Sequence, residues 1–151
     1  MKFTPLKINL FTFLKLPSAY ICGVRVLFIS EEKSLVKVTH RWINQNPFKS
    51  MFWAVQGMAA ELATGILVMQ AIDKSEKKIS MLVTNMNATF TKKAKGKISF
   101  ECDDGEAITK AIQKSVNTGH GQTVIVTSKG INDDGVLVSK FQFEWSLKVK
   151  A

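Results

Sequence analysis

Residues Met51 to Ile72 form an apolar segment of helical length whose only charged residue is Glu61, preceded by the turn-forming run Asn46-Pro47-Phe48-Lys49-Ser50. A carboxylate among apolar neighbours in mid-helix is costly unless a partner satisfies it or chemistry uses it. Apolar positions cover nearly the whole circumference, so the helix must be enclosed by a curved sheet or by lipid. At about 1.5 Å per residue it spans roughly 30 Å, long enough to cross a bilayer. Gln56 and Glu61 stand in its middle, however, and a central acid costs on the order of 3 kcal/mol even on a lenient insertion scale. The flanking segments are amphipathic strands that need a common core, so enclosure by their sheet is the expectation and no transmembrane segment is read.

Val24 to Ile29 and Leu35 to Ile43, separated by the polar turn Ser30 to Ser34, predict a β-hairpin. In the second strand Val36, Val38, His40 and Trp42 alternate with Lys37, Thr39 and Arg41. Ile79 to Thr91 and Lys97 to Cys102 are strand-like, and the basic turn Lys92-Lys93-Ala94-Lys95-Gly96 between them predicts a second hairpin. Asp103 and Glu106 form a capping-box signature ahead of a short helix through Ile108, Ala111, Ile112 and Val116, which Thr118-Gly119 ends. Thr123 to Ser128 and Val136 to Val149 complete the strands, with Phe141, Phe143, Trp145, Leu147 and Val149 facing inward.

At the start of the chain Lys7, Asn9 and Lys15 interrupt any signal-peptide h-region and no small-x-small cleavage site follows. The segment reads as an amphipathic helix ended by Pro17, with Leu6, Leu10, Phe13 and Leu14 expected to lie on the body of the domain. A peripheral membrane contact is the alternative.

The 151 residues suit one domain with its own core. A formal charge of +9 favours acidic partners: nucleic acid, an anionic membrane surface or a phosphate-bearing molecule such as coenzyme A. The basic residues are scattered and lack an aromatic stacking motif, so nucleic acid is not the expectation. Cys22 and Cys102 lie far apart, outside any C-x-x-C pair, and read as reduced thiols of a cytoplasmic protein. With only His40 and His120 beside them, no metal site is read. Along the central helix Ala54, Gly57, Glu61 and Gly65 recur three and four residues apart, which puts small side chains on the face of the acid. Such a face is either a channel for a slender ligand or, more commonly, a surface that approaches a sheet or subunit closely.

Leu16-Pro17, Asn46-Pro47-Phe48 and Ala60-Glu61-Leu62-Ala63-Thr64-Gly65, together with the Ala94-Lys95-Gly96 turn, resemble the PaaI-like acyl-CoA thioesterases, and among them a bacterial branch known as a domain of unknown function. The resemblance runs from about Pro17 to the last strand. It implies an α+β hotdog fold over residues 1–151, with 1–18 as a helical lead-in. About six antiparallel strands would wrap the central helix; the short helix read between strands four and five departs from the simplest pattern of that fold.

The same resemblance implies a site. Asn46 precedes Glu61 by the spacing that in those enzymes separates a loop asparagine from the catalytic acid, so Glu61 would be the general base and Asn46 would orient water or the acyl carbonyl. Phe52-Trp53-Ala54 stands where those enzymes carry His-Gly-Gly. Backbone donors around Trp53 and Ala54 would still hold the oxyanion, while Phe52 and Trp53 reshape the mouth of a groove that includes Ser50, Gly57 and Gly65. An ionised Glu61 would need a polar partner such as Asn46 or Ser50. Lys92, Lys93 and Lys95 would steer coenzyme A phosphates, against the simpler reading of a solvated turn. No cofactor is implied; a coenzyme A thioester would be the substrate. The expected assembly is a homodimer or a dimer of dimers with sites between subunits. A hotdog protein that binds an acyl or other hydrophobic ligand without turnover is the alternative.

Overall fold

The computed structural model describes residues 2–151. The chain opens with helices α1 (Pro5–Lys15) and α2 (Pro17–Ile21) and continues into strands β1 (Arg25–Ile29) and β2 (Ser34–Thr39). A 3-10 turn at Trp42–Asn44 leads to the long helix α3 (Trp53–Ser75). Strands β3 (Ile79–Phe90) and β4 (Lys97–Cys102), helix α4 (Gly105–Thr118), and strands β5 (Gln122–Asn132) and β6 (Leu137–Val149) complete it. The strands form one six-stranded antiparallel sheet in the order β1-β2-β4-β5-β6-β3. One helix, α3, packs against β1, β2, β4, β5 and β6. A sheet that reaches a single helix with so many strands must curl round it, and this is the hotdog fold.

The sequence explains both partners. On α3, Val55, Ala59, Ala60, Leu62, Ala63 and Ile66 to Val68 are buried. From β6 the alternate residues Phe141, Phe143, Trp145 and Leu147 are buried against it. Phe141 is the hub, making ring contacts with Phe90, Phe100 and Phe143. Trp145 Nε1 donates to Thr64 Oγ1 at 3.0 Å and that hydroxyl donates to the Glu61 carbonyl at 2.8 Å, fastening sheet to helix at its midpoint. Among the described residues α3 is the one helix long and apolar enough to cross a membrane, and 61% of its most apolar stretch is buried inside the fold. It is a core helix.

Several expectations are corrected. β3 and β4 do not form a hairpin: β3 pairs with β6, and β4 lies between β2 and β5. The 92–96 link is instead tied to the other side of the sheet, where Met51 N–H donates to Ala94 O and His40 N–H to Gly96 O, each at 2.9 Å, which draws β4 alongside β2. The second strand stops at Thr39 because the Asn44 side chain takes over its hydrogen bonds, donating to Thr39 O and accepting from Arg41 N–H. Trp42 consequently points to solvent, 80% exposed, rather than continuing the inward alternation. At α4 the N-cap is Asp104, and its carboxylate accepts from Thr127 N–H at 2.7 Å instead of capping the helix.

Helix α1 is rotated away from the expected orientation. Ile8 and Thr12 face the fold, while Leu6, Leu10, Phe13 and Leu14 face outward. Asn9 sets this rotation: its Nδ2 donates to Val26 O at 3.0 Å and its Oδ1 accepts from Val26 N–H at 2.8 Å. The carboxamide thus does for the edge strand β1 what a further strand would do, and α1 covers that edge. Asn9→Ala is expected to cost about 1–2 kcal/mol in urea denaturation, two partly buried backbone bonds being lost, with faster hydrogen exchange at the Val26 amide.

Candidate functional site

The loop before α3 is built around Asn46. Its Oδ1 accepts from Phe48 N–H at 2.9 Å and Ser50 N–H at 3.2 Å, and its Nδ2 donates to Ser50 Oγ at 3.0 Å and Met51 O at 3.3 Å. The side chain closes the Asn-Pro-Phe turn in the way short amides do when they mimic backbone. Lys49 reverses the chain with φ 60. Phe52 N–H then donates to Asn44 O, and α3 starts with Phe52 as an extended N-cap.

Val55 and Gln56 donate their N–H groups back to Phe52 O, whereas those of Trp53 and Ala54 have no acceptor among the described residues. Two free donors at the positive end of a helix favour negative charge. Trp53, though not Ala54, lines a groove of about 490 Å³ together with Asn46, Ser50, Phe52 and Gln56. The Phe52 and Trp53 rings meet edge to face at 6.0 Å and are half exposed at its mouth.

Gln56 was missed by the sequence reading, which used it only against a membrane span. It is 4% exposed, lines the groove, and its Oε1 has no hydrogen-bond partner among the described residues. A buried amide left unpaired is unfavourable, and its position three residues after Trp53, one helical turn further in, is the signal that places it on the groove side.

Glu61 lies elsewhere. It lines a second pocket of about 240 Å³, together with Lys15 to Ala19 and with Met58 and Leu62. The acid therefore faces an opening. Its carboxyl group makes no hydrogen bond or ion pair among the described residues, and burial pushes its pKa above the ordinary 4.5. Asn46 and Ser50 bond each other and the loop, so neither partners Glu61 within one chain. The sequence pairing of Asn46 with Glu61 thus falls on two separate pockets of one chain.

Ala54, Gly57 and Gly65 line neither pocket. Gly57 faces the Phe141 ring and Gly65 the Trp145 ring, where an added Cβ would sit at ordinary contact distances of 3.6 and 3.5 Å. At Gly57 and Gly65 the small residues are thus turned toward β6. Lys92 and Lys93 stand exposed on the rim of the larger groove, Lys93 Nζ donating to Phe48 O at 3.4 Å; Lys95, on the same link, is exposed but outside the lining. Among the described residues no group of three or more His, Cys, Asp or Glu is placed to hold a metal ion.

Solved structures share this architecture end to end. A protein from Pseudomonas aeruginosa described as of unknown function and a probable thioesterase superposes with TM-score 0.83 at 19% identity, covering 97% of each chain. A protein of unknown function from Chlorobaculum tepidum gives 0.82 at 16%, over 97% of this chain and 98% of that one. A thioesterase from Haemophilus influenzae gives 0.76 at 13%, over 99% and 93%. At such identities the likeness is one of fold. A search of curated proteins gave no match. The sequence itself matches one family model across residues 9–147, which takes in the loop, the central helix and the strands as far as Leu147 of β6, and the chain belongs to that family, the Domain of unknown function (DUF4442).

Proposed function

We propose that the protein hydrolyses an acyl-coenzyme A or related thioester at a site shared between two copies. The observation that carries this is the start of α3, where the N–H groups of Trp53, which lines a groove with a cationic rim, and of its neighbour Ala54 have no acceptor among the described residues, while Glu61, likewise without a partner among them, lines a separate pocket. The thioesterases among the structures of the same fold support the reaction class.

One sheet edge, β1, is covered by α1, whereas β3 is a 12-residue edge strand with Leu82, Met86 and Phe90 exposed. Pairing through β3 with a second copy joins two free edges. Phe90 also lines the larger groove, so this edge borders the site. Glu61 of one copy then serves the groove of the other.

In that site ionised Glu61 takes a proton from water as the water oxygen attacks the thioester carbonyl. The oxyanion rests on the Trp53 and Ala54 N–H groups. When the C–S bond breaks, the thiolate leaves with the proton held by Glu61, giving carboxylic acid and free thiol. Asn46 holds the loop that presents the donors and orients the water or the carbonyl. Lys92, Lys93 and Lys95 draw the substrate phosphates, and Phe52 and Trp53 restrict the acyl group. A coenzyme A thioester as substrate is consistent with action in the cytoplasm. The second reading, binding without turnover, is favoured by one observation: the Asn46 amide is already committed to its own loop.

Thiol release from a panel of acyl-coenzyme A esters, run beside equilibrium binding of the same esters, tests both. Turnover supports hydrolysis, saturable binding alone supports the second reading, and neither overturns the pair. Gln56→Met is expected to raise stability by about 1–2 kcal/mol by removing an unpaired buried carbonyl oxygen; a variant no more stable than wild type would show that this oxygen is satisfied.

A further inference from the structure

The outward pole of α1 is apolar and its surroundings are cationic. With Ile8 and Thr12 turned into the fold, a rotation of about 100° per residue puts Leu10 at the opposite pole, with Leu6 and Leu14 one turn to either side and Phe13 beside them. These side chains are 59%, 81%, 62% and 53% exposed, respectively. Leu27 and Phe28 of β1, the strand on which α1 lies, are exposed as well. A cluster of this kind marks an interaction surface, unlike single exposed leucines.

Charge decides its partner. No acidic residue precedes Glu31 in the sequence, whereas Lys2, Lys7, Lys15 and Arg25 all do. Lys7 falls one step round the helix from Leu14 and Leu10. The Arg25 guanidinium lies 3.5 Å over the Tyr20 ring, and that ring meets Phe13 edge to face at 5.0 Å, so a cation borders the apolar cluster.

We infer that α1 lies in the surface of an anionic lipid bilayer, its leucines and Phe13 among the acyl chains and its lysines at the headgroups. Long lysine side chains reach up past an apolar surface to the phosphates, and the combination of apolar insertion with cationic attraction is what holds an in-plane helix. A second copy suits this face less well, because a two-fold contact of α1 with itself would press Lys7, which borders the leucines, against an apolar helix face that carries no acid to pair with it. The inference stands apart from the thioester reading and leaves β3 free for dimerisation. Because Lys15 to Ala19 line the Glu61 pocket, docking sets that pocket beside the lipid.

Flotation of the full chain with phosphatidylcholine vesicles, and with vesicles of phosphatidylcholine and phosphatidylserine, at low and high salt tests this. Binding is expected to the anionic vesicles only, to weaken with salt, to fall roughly fivefold in Lys7→Gln, and to fall more than about tenfold in Leu10→Asn/Leu14→Asn. Both variants alter outward side chains, so melting temperature is expected to stay at the wild-type value. Failure of the wild type to float with anionic vesicles overturns the inference, as does undiminished flotation of Lys7→Gln or of the folded double variant. A double variant that loses self-association in sedimentation, with no vesicle binding by the wild type, would assign the face to a second copy instead.

Discussion

Glu61→Gln is expected to lower kcat/KM for thioester hydrolysis by about 10²–10⁴-fold, the usual contribution of a positioned general base, while making the protein more stable at neutral pH. The two effects have one cause. Burial raises the carboxyl pKa above 4.5, so the folded state holds its proton to higher pH than the unfolded chain does. Below about pH 4.5 both states are protonated and Glu61 costs nothing. Between that pH and the raised folded value the unfolded chain has ionised and the folded protein has not, so stability falls as pH rises, and above the folded value the penalty stays constant. Glutamine, isosteric and neutral, removes that slope. Wild-type kcat/KM should rise with pH along an acid limb displaced above the ordinary carboxylate range, since the base acts only when ionised. Melting curves and kcat/KM across pH check both halves; unaltered turnover in Glu61→Gln would strike the acid from the reaction, and parallel stability profiles for the two proteins would contradict its burial.

The largest effect on folding is expected at Gly105. By helix propensity alone, alanine in a helix is favoured over glycine by about 1 kcal/mol. Gly105 opens α4 directly against the β1–β2 turn, however: an added Cβ would lie 2.1 Å from Glu31 O and 2.6 Å from Glu32 Cα, and Gly105 N–H itself donates to Glu32 O at 3.1 Å. These neighbours are backbone, so relief requires α4 or the turn to shift. Gly105→Ala should therefore cost about 3 kcal/mol or more, a fall of roughly 6–12 °C in melting temperature for a domain of this size. Gly57→Ala is the comparison: its Cβ would meet only the Phe141 ring at 3.6 Å, and it should be neutral or stabilising by up to about 1 kcal/mol. Equal melting temperatures for the two variants would mean that α4 is not seated on that turn.

Much of the fold was legible because its signals are local. The near-continuous apolar run of α3 demanded enclosure, and the alternation in β6 named the residues that supply it. The errors fall where a side chain competes for a backbone group. Asn44 ends β2 and Asn9 turns α1 over, each through hydrogen bonds to strands that sequence spacing does not reveal. The 92–96 link looked like a hairpin turn because turn chemistry is local, whereas its partners, Met51 and His40, are not.

For the site, the sequence alone determined the chemistry available: one acid within an apolar helix, an asparagine loop before it, bulky Phe52 and Trp53 at the helix start, and lysines on a neighbouring link. Residue type and helical period settle those facts without any tertiary information. Only the folded chain decided which groups meet. It committed the Asn46 amide to its own loop, opened Glu61 to a different pocket and left Gln56 unpaired beside the free N–H groups. It also turned the leucines of α1 toward solvent. The physical reason is the same throughout: a periodic pattern shows that a face is apolar, but which way it points is fixed by the hydrogen bonds that must be satisfied on the opposite side.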